Sequence, residues 1–220
     1  MAKRPSRIGI DIPKAEKKRS GENLEQTRQL IIDGLLQSVA EVGLHNTSSA
    51  EISKRTGVTW GAVVYHFGDK HGLLIAAVEQ GLDILLQNLQ QISATGLALE
   101  ERIDRFIECA RRGLQNPYLR AHFEIQMCYI PVRDSKELQE QMTREWNSEW
   151  QRIFGDAALD KTDMQQLSAY TRAVLTGFTY ARGFSRGDEY TTPNLDILSE
   201  TLKQRMISTA APAKTNKGRR

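Results

Sequence analysis

Among the side chains between Thr47 and Lys70 that can hydrogen-bond a polyanion are Thr47, Ser48, Thr59, Trp60, Tyr65, His66 and Lys70. Hydroxyls, an indole N–H, a phenol, an imidazole and an ammonium donate to phosphate oxygens and to base edges. Their spacing sets no nucleophile beside a base and no cluster of metal ligands. Gly61 and Ala62 lie among them, and a glycine lets a backbone come close to a duplex because no Cβ holds it off. The chemistry on offer is recognition.

Such groups need a rigid mount. Ser48, with Glu51 three residues on, has the spacing of a capping box at the start of a short helix. Gly57 ends that helix, Thr59 caps a second one running to about His66, and Gly68-Asp69 breaks the chain. Asp69 then caps a long helix from Lys70 to about Gln91. Ile52, Val58 and Val63 point inward, which leaves Thr59, Trp60, Ala62 and Tyr65 outward. This is the grammar of a helix-turn-helix over residues 48–66. Two helices this short are not stable alone. A preceding stripe supplies the third: Ile31, Leu35, Val39 and Val42, widened by Ile32 and Leu36, with Gly43 where a left-handed cap belongs.

Helical periodicity continues over Leu99–Gln115, Tyr118–Tyr129, Ser135–Phe154, Thr162–Arg182 and Asn194–Ile207. No strand pattern interrupts it, so the expected class is all-α with about nine helices. The division reads as a disordered basic arm (1–20), a helix-turn-helix unit (21–69), a helical body (70–208) whose first helix, 70–91, links the two, and a disordered basic tail (209–220). Residues 1–20 hold seven Lys/Arg against two Asp/Glu and residues 203–220 six against none, while residues 71–202 carry 13 against 19. Basic ends on an acidic middle suit a polyanion, or are simply solubilising.

Several classes drop out. The motifs of nucleotide, serine-hydrolase and zinc-peptidase sites are absent, so no enzyme, cofactor or metal is expected. Cys109 and Cys128 stand apart from one another and from the histidines, and read as free thiols. The longest apolar cluster, Leu73–Val78, is far too short to cross a bilayer and no secretory leader precedes it, so the cytoplasm is the expected compartment.

The runs TRQLIIDGLLQSVAEVGLHNTS, EISKRTGV and GAVVYHFGDKHGLL, from Thr27 to Gln80, resemble the DNA-binding domain of the TetR/AcrR family of regulators. The resemblance implies that Thr59, Trp60, Gly61 and Ala62 meet base edges. It implies that Tyr65, His66 and Lys70 touch phosphate, and that Thr47 and Ser48 lie beside the DNA backbone. Trp60 and Val64 depart from the common pattern, as do Ser53 and Thr56; an indole cannot make the two-pronged contact to guanine that an arginine makes. Trp60 and Tyr65 are open to a second reading as packing residues, His66 and Lys70 to one as ordinary surface groups.

The resemblance also implies a homodimer on near-palindromic double-stranded operator DNA and a body that holds a small-molecule effector, apolar or amphipathic, which releases a repressor. Phe106, Cys109, Phe123, Gln126, Met127, Trp146, Trp150, Tyr170 and Phe178 are the pocket candidates, each of which also reads as core. Gly177 with Ala169, Ala173 and Ala181 would let two copies approach closely. Two alternatives stay open: an activator or ligand-independent regulator of the same fold, and a helical small-molecule-binding protein whose helix-turn-helix is only structural.

Overall fold

A computed structural model describes residues 14–129, 136–182 and 191–207. Among them the chain forms nine α-helices: α1 (Lys14–Val42), α2 (Ser49–Thr56), α3 (Trp60–Phe67), α4 (Lys70–Gln90), α5 (Leu99–Gln115), α6 (Pro117–Tyr129), α7 (Lys136–Phe154), α8 (Lys161–Arg182) and α9 (Thr191–Ile207). A 3-10 turn, Leu44–Asn46, joins α1 to α2. The architecture is all-α, as the periodicity predicts.

One boundary is corrected. Residues 14–20, read as part of a disordered arm, are the first turns of α1. Lys, Ala, Glu and Arg are strong helix formers, and extending an existing helix avoids the cost of nucleating one. Residues 1–13 and the basic tail from 208 lie outside the described residues.

The apolar stripe of α1 is buried at Ile31, Ile32, Leu35, Leu36 and Val39, but Val42 is 39% exposed and lies off the core. Gly43 takes a positive φ of 81° with an extended ψ of 158°, so it turns the chain without forming a left-handed cap. Elsewhere the caps fall where the sequence puts them. Asn116 accepts from the amide of Tyr118 at 2.9 Å, with Pro117 as first helical residue of α6, where its missing N–H matters least. The last helix begins earlier than the expected Asn194: α9 starts at Thr191 and takes Pro193 into its first turn, where a missing N–H also matters little.

Side chains pack into two cores. The first joins α1, Ile52 of α2 and Val63 of α3 to Leu73, Leu74, Ala76, Ala77 and Val78 of α4, Ala121 and Ile125 of α6 and Leu138 of α7. The second gathers α5, α7, α8 and α9 around Phe106, Trp146, Trp150 and Phe154. The boundary drawn at Lys70 is therefore not where the packing divides. The first half of α4 belongs to the helix-turn-helix unit, and α6 reaches in from the body. A third helix buries the apolar faces that two eight-residue helices cannot bury between themselves, which requires α4 and then α6 to lie against them.

Arginines close helix ends in the body. Arg152 donates to the carbonyls of Leu89 and Ile92 at 2.8 and 2.9 Å, where α4 runs out. Arg102, 4% exposed, grips Asp156 with two bonds of 2.8 Å and donates to the Ile153 carbonyl at 2.6 Å. Both satisfy carbonyls that a helix end leaves without an intrahelical partner.

Helices α4 and α6 meet at Gly81, where a Cβ would run into the His122 ring. His122 is buried and its Nδ1 lies 3.2 Å from the Ala77 carbonyl, so this nitrogen carries the proton of the neutral ring. Burial pushes its pKa down to about 4, against the opposing pull of that carbonyl.

Two expectations arise from this contact. In an exposed helix Gly→Ala stabilises, but Gly81→Ala should lower stability by about 1–3 kcal/mol in urea denaturation, because overpacking outweighs propensity. Between pH 6.5 and about 4 the unfolded chain binds a proton at His122 that the folded chain refuses, so stability rises with pH across that window. Acidification through it should remove roughly 3 kcal/mol, and His122→Gln should flatten that part of the pH–stability curve.

Candidate nucleic-acid interface

The interface is built from short helices and their caps. Ser48 accepts from the amide of Glu51 at 3.1 Å and starts α2. The return half of the capping box is not made. Glu51 turns instead to Arg55 at 2.7 Å, and Arg55 also pairs with Glu41 of α1 at 2.7 Å, fixing α2 to the first helix. The Arg55 guanidinium holds the Glu41 carboxyl below the usual carboxylate range. Gly57, at φ 68° and ψ 6°, is the left-handed residue that turns α2 into α3, and no L side chain adopts that backbone easily. Thr59 accepts from the Ala62 amide at 3.3 Å and starts α3.

Val63 is fully buried, and this orients α3. Opposite it Thr59, Gly61, Val64 and Tyr65 are exposed, Tyr65 at 77%. Ala62 and His66 are half-buried beside them, and the His66 ring meets Tyr65 edge-on at 5.3 Å. Ser48 is exposed at the head of α2. These residues share one side of the reading unit. Trp60 is half-buried and packs against the first core, so its indole is in part a packing group.

Two assignments change. Thr47 is 1% exposed; its hydroxyl donates to the Gly43 carbonyl at 2.9 Å and lies 3.0 Å from the Ser38 hydroxyl. A buried hydroxyl with two partners inside has nothing to offer a phosphate, so Thr47 is withdrawn from the contact set. Lys70 is half-buried, and its ammonium donates to the Thr47 carbonyl at 2.5 Å. It holds the chain ahead of α2, with two N–H donors over. The amide end of α4 is partly used as well, since Asp69 accepts from Gly72 N at 2.8 Å. A Cβ at Gly72 would strike the Phe67 carbonyl, so the turn from α3 to α4 requires glycine there.

Sequence reading missed three positioning groups. Arg28 donates to the His66 carbonyl at 2.9 Å, and its guanidinium lies 4.5 Å above the Phe67 ring, steadying the end of α3 from α1. The signal was its phase, since Arg28 falls three, four and seven residues before Ile31, Ile32 and Leu35 on the buried stripe. On α6, Arg120 donates to the Ala40 carbonyl at 3.2 Å and Glu124 accepts from the Leu44 amide at 2.7 Å. Nothing in the local sequence marks these two, because their partners lie 80 residues away.

The nine pocket candidates do not share one cavity. Phe106, Trp146 and Trp150 pack on one another in the second core, with centroids 5.7–6.2 Å apart. The indole N–H groups of Trp146 and Trp150 reach Ser168 at 2.9 Å and the Met164 sulfur at 3.1 Å. Cys109 and Phe178 lean on the same cluster; burial pushes the Cys109 thiol up. Gln126 is half-buried, and its Oε1 finds no partner. Phe123 and Met127 line a separate cavity of about 430 Å³ against α1. Tyr170 borders another of about 400 Å³ between α8 and α9. Among the described residues no three His, Cys, Asp or Glu converge as metal ligands, and no helix is long and apolar enough to cross a membrane.

Residues 31–77, which run from α1 into α4, match the family model described as bacterial regulatory proteins, tetR family. Over 51 residues the chain is 41% identical to the HTH-type transcriptional regulator BetI of Escherichia coli (strain K12 / DH10B), a stretch covering 23% of this chain and 26% of BetI. The match thus spans about a quarter of the length of these curated relatives. The fold as a whole is similar to that of a transcriptional regulator from Rhodococcus sp. Rha1 (TM-score 0.66, 20% identity, 80% of this chain and 96% of that one). It is also similar to NalD, the secondary repressor of the MexAB-OprM multidrug efflux pump in Pseudomonas aeruginosa (TM-score 0.57, 21% identity, 84% of this chain and 97% of that one). At these identities the two structures speak for the fold.

If Thr47 is structural, Thr47→Val leaves Ser38 and the Gly43 carbonyl short of a partner. It should lower the free energy of unfolding by about 1–2 kcal/mol, read from urea denaturation. A wild-type midpoint would return Thr47 to the surface set.

Proposed function

We propose that the chain is a member of the TetR family of bacterial regulatory proteins, whose model its residues 31–77 match, and that it is a DNA-binding transcriptional regulator, a repressor that works as a homodimer. The carrying observation is the orientation of α3: burial of Val63 turns Thr59, Gly61, Val64 and Tyr65 outward on a helix held by caps at both ends. Thr59 and the exposed backbone at Gly61 are suited to base edges and sugars, and the Val64 and Ala62 side chains to thymine methyl groups. Ser48, Tyr65, His66 and the remaining donors of Lys70 are suited by their chemistry to phosphates. No arginine or lysine lies on α3, so discrimination rests on apolar fit and hydroxyl contacts more than on guanine.

A second copy is proposed to pair through α8 and α9. Ala169, Ala173 and Gly177 form an exposed small-residue stripe on α8, next to exposed Tyr170, and Ile197 of α9 is 58% exposed. A Cβ at Gly177 would meet nothing in its own protomer, so close approach of a partner is the reason on offer for a glycine there. Two reading heads would enter successive major grooves, about 34 Å apart along the duplex. A small apolar or amphipathic effector that favours the conformer with the wrong spacing would release the DNA, provided it binds the two conformers unequally.

The direct test is to recover and sequence the genomic fragments that the purified chain retains, then titrate the best duplex at several salt concentrations. Salt-dependent binding of a near-palindrome from beside its own gene is expected; no such binding defeats the proposal. Lys70→Ala should weaken binding to all sequences alike and lower the salt slope by about one.

A further inference from the structure

The cavity of about 430 Å³ lies where the reading unit meets the body. Val39 and Ala40 come from the last turns of α1, Phe123, Glu124 and Met127 from α6, and Thr179 from α8. Its wall is mainly apolar, with one half-buried carboxylate in it. Among the described residues Glu124 accepts one hydrogen bond, from the Leu44 amide, and forms no ion pair. Arg120, one turn earlier on α6, also borders the cavity, where its guanidinium donates to the Ala40 carbonyl; as an exposed group it is screened by water. A half-buried carboxylate is screened less and attracts a cation more strongly than a surface one does.

We propose that this cavity is a binding site for a compact organic cation with an apolar body, held by Glu124, and that its occupancy loosens the grip of α6 on the end of α1. A neutral apolar ligand would strip water from the carboxylate and return nothing, and an anion would meet the less-screened charge of Glu124 with only the water-screened Arg120 to offset it. A quaternary ammonium or phosphonium group satisfies the carboxylate, while its substituents lie on Val39, Phe123 and Met127. The same carboxylate anchors Leu44 N, the amide that starts the turn into α2. A cation that draws on Glu124 therefore acts on the reading unit itself. The binding site stands on its own; its link to DNA release rests on the function proposed above.

The full-length chain is titrated with tetraphenylphosphonium by calorimetry, with tetraphenylborate as the isosteric anion. One cation per chain should bind, and the borate should bind at least about tenfold more weakly. Glu124→Gln keeps a carbonyl for Leu44 N and loses the charge, so cation affinity should fall about tenfold with thermal stability little changed. Met127 is 44% exposed, so Met127→Lys should fold normally, place an ammonium one helical turn from Glu124 and block the cation. With the retained duplex, saturating cation should weaken DNA binding several-fold, and DNA should weaken cation binding by the same factor. Equal binding of borate, undiminished binding by Glu124→Gln, or no cation binding would overturn the site. DNA binding that ignores a bound cation would overturn the coupling. Charge-dependent cation binding by a chain that retains no DNA would uphold the site and sink the regulatory reading.

Discussion

A helix of eight residues has as many unpaired backbone groups at its ends as it has residues, and α2 and α3 are both of that length. The reading unit exists only because side chains from elsewhere satisfy those ends. Ser48, Thr59 and Asp69 take amides at the starts of α2, α3 and α4. Lys70 takes the Thr47 carbonyl, Arg28 the His66 carbonyl, Arg120 the Ala40 carbonyl, and Glu124 the Leu44 amide. Hydrogen bonds from charged groups to backbone are stronger than neutral ones, which suits charged residues to that task at the joints of a small unit.

This bears on electrostatics. A charge already committed to a backbone carbonyl contributes less to an external phosphate than its place in the sequence suggests. Lys70 is the clear case, as it is half-buried and braces the chain ahead of α2 through the Thr47 carbonyl. Thr47 goes further and is wholly internal. The outer face of α3 bears a phenol and small apolar groups, with the Thr59 hydroxyl at its cap, and no guanidinium or ammonium.

The ties from α6 to the end of α1 also bear on how a body could speak to a reading head. Ala121 and Ile125 share the first core with α1 and α4, while on the same helix Arg120 grips the end of α1 and Glu124 the turn before α2. His122 sets α6 against α4 at the Gly81 notch. A displacement of α6 cannot leave the reading unit untouched, because close-packed cores rearrange between discrete states and do not stretch continuously.

The helices, their order and the caps at Ser48, Thr59 and Asp69 were legible in the sequence, because 3.6-residue periodicity and cap chemistry act over a few residues. So was the inward set Ile52, Val58 and Val63, which follows from phase alone. The extension of α1 back to Lys14 was hidden by charge density, since a polar helix grown from a stable one shows no apolar period of its own. Only tertiary structure could decide which hydroxyls face in, where Lys70 reaches, that Phe106, Trp146 and Trp150 fill a core, and that Phe123 and Met127 border a cavity with α1. Those outcomes depend on groups brought together across dozens of residues by packing, and local spacing carries no record of them. The capped pair of helices over residues 48–66 was written in the chain; the face it presents was settled by what lies behind it.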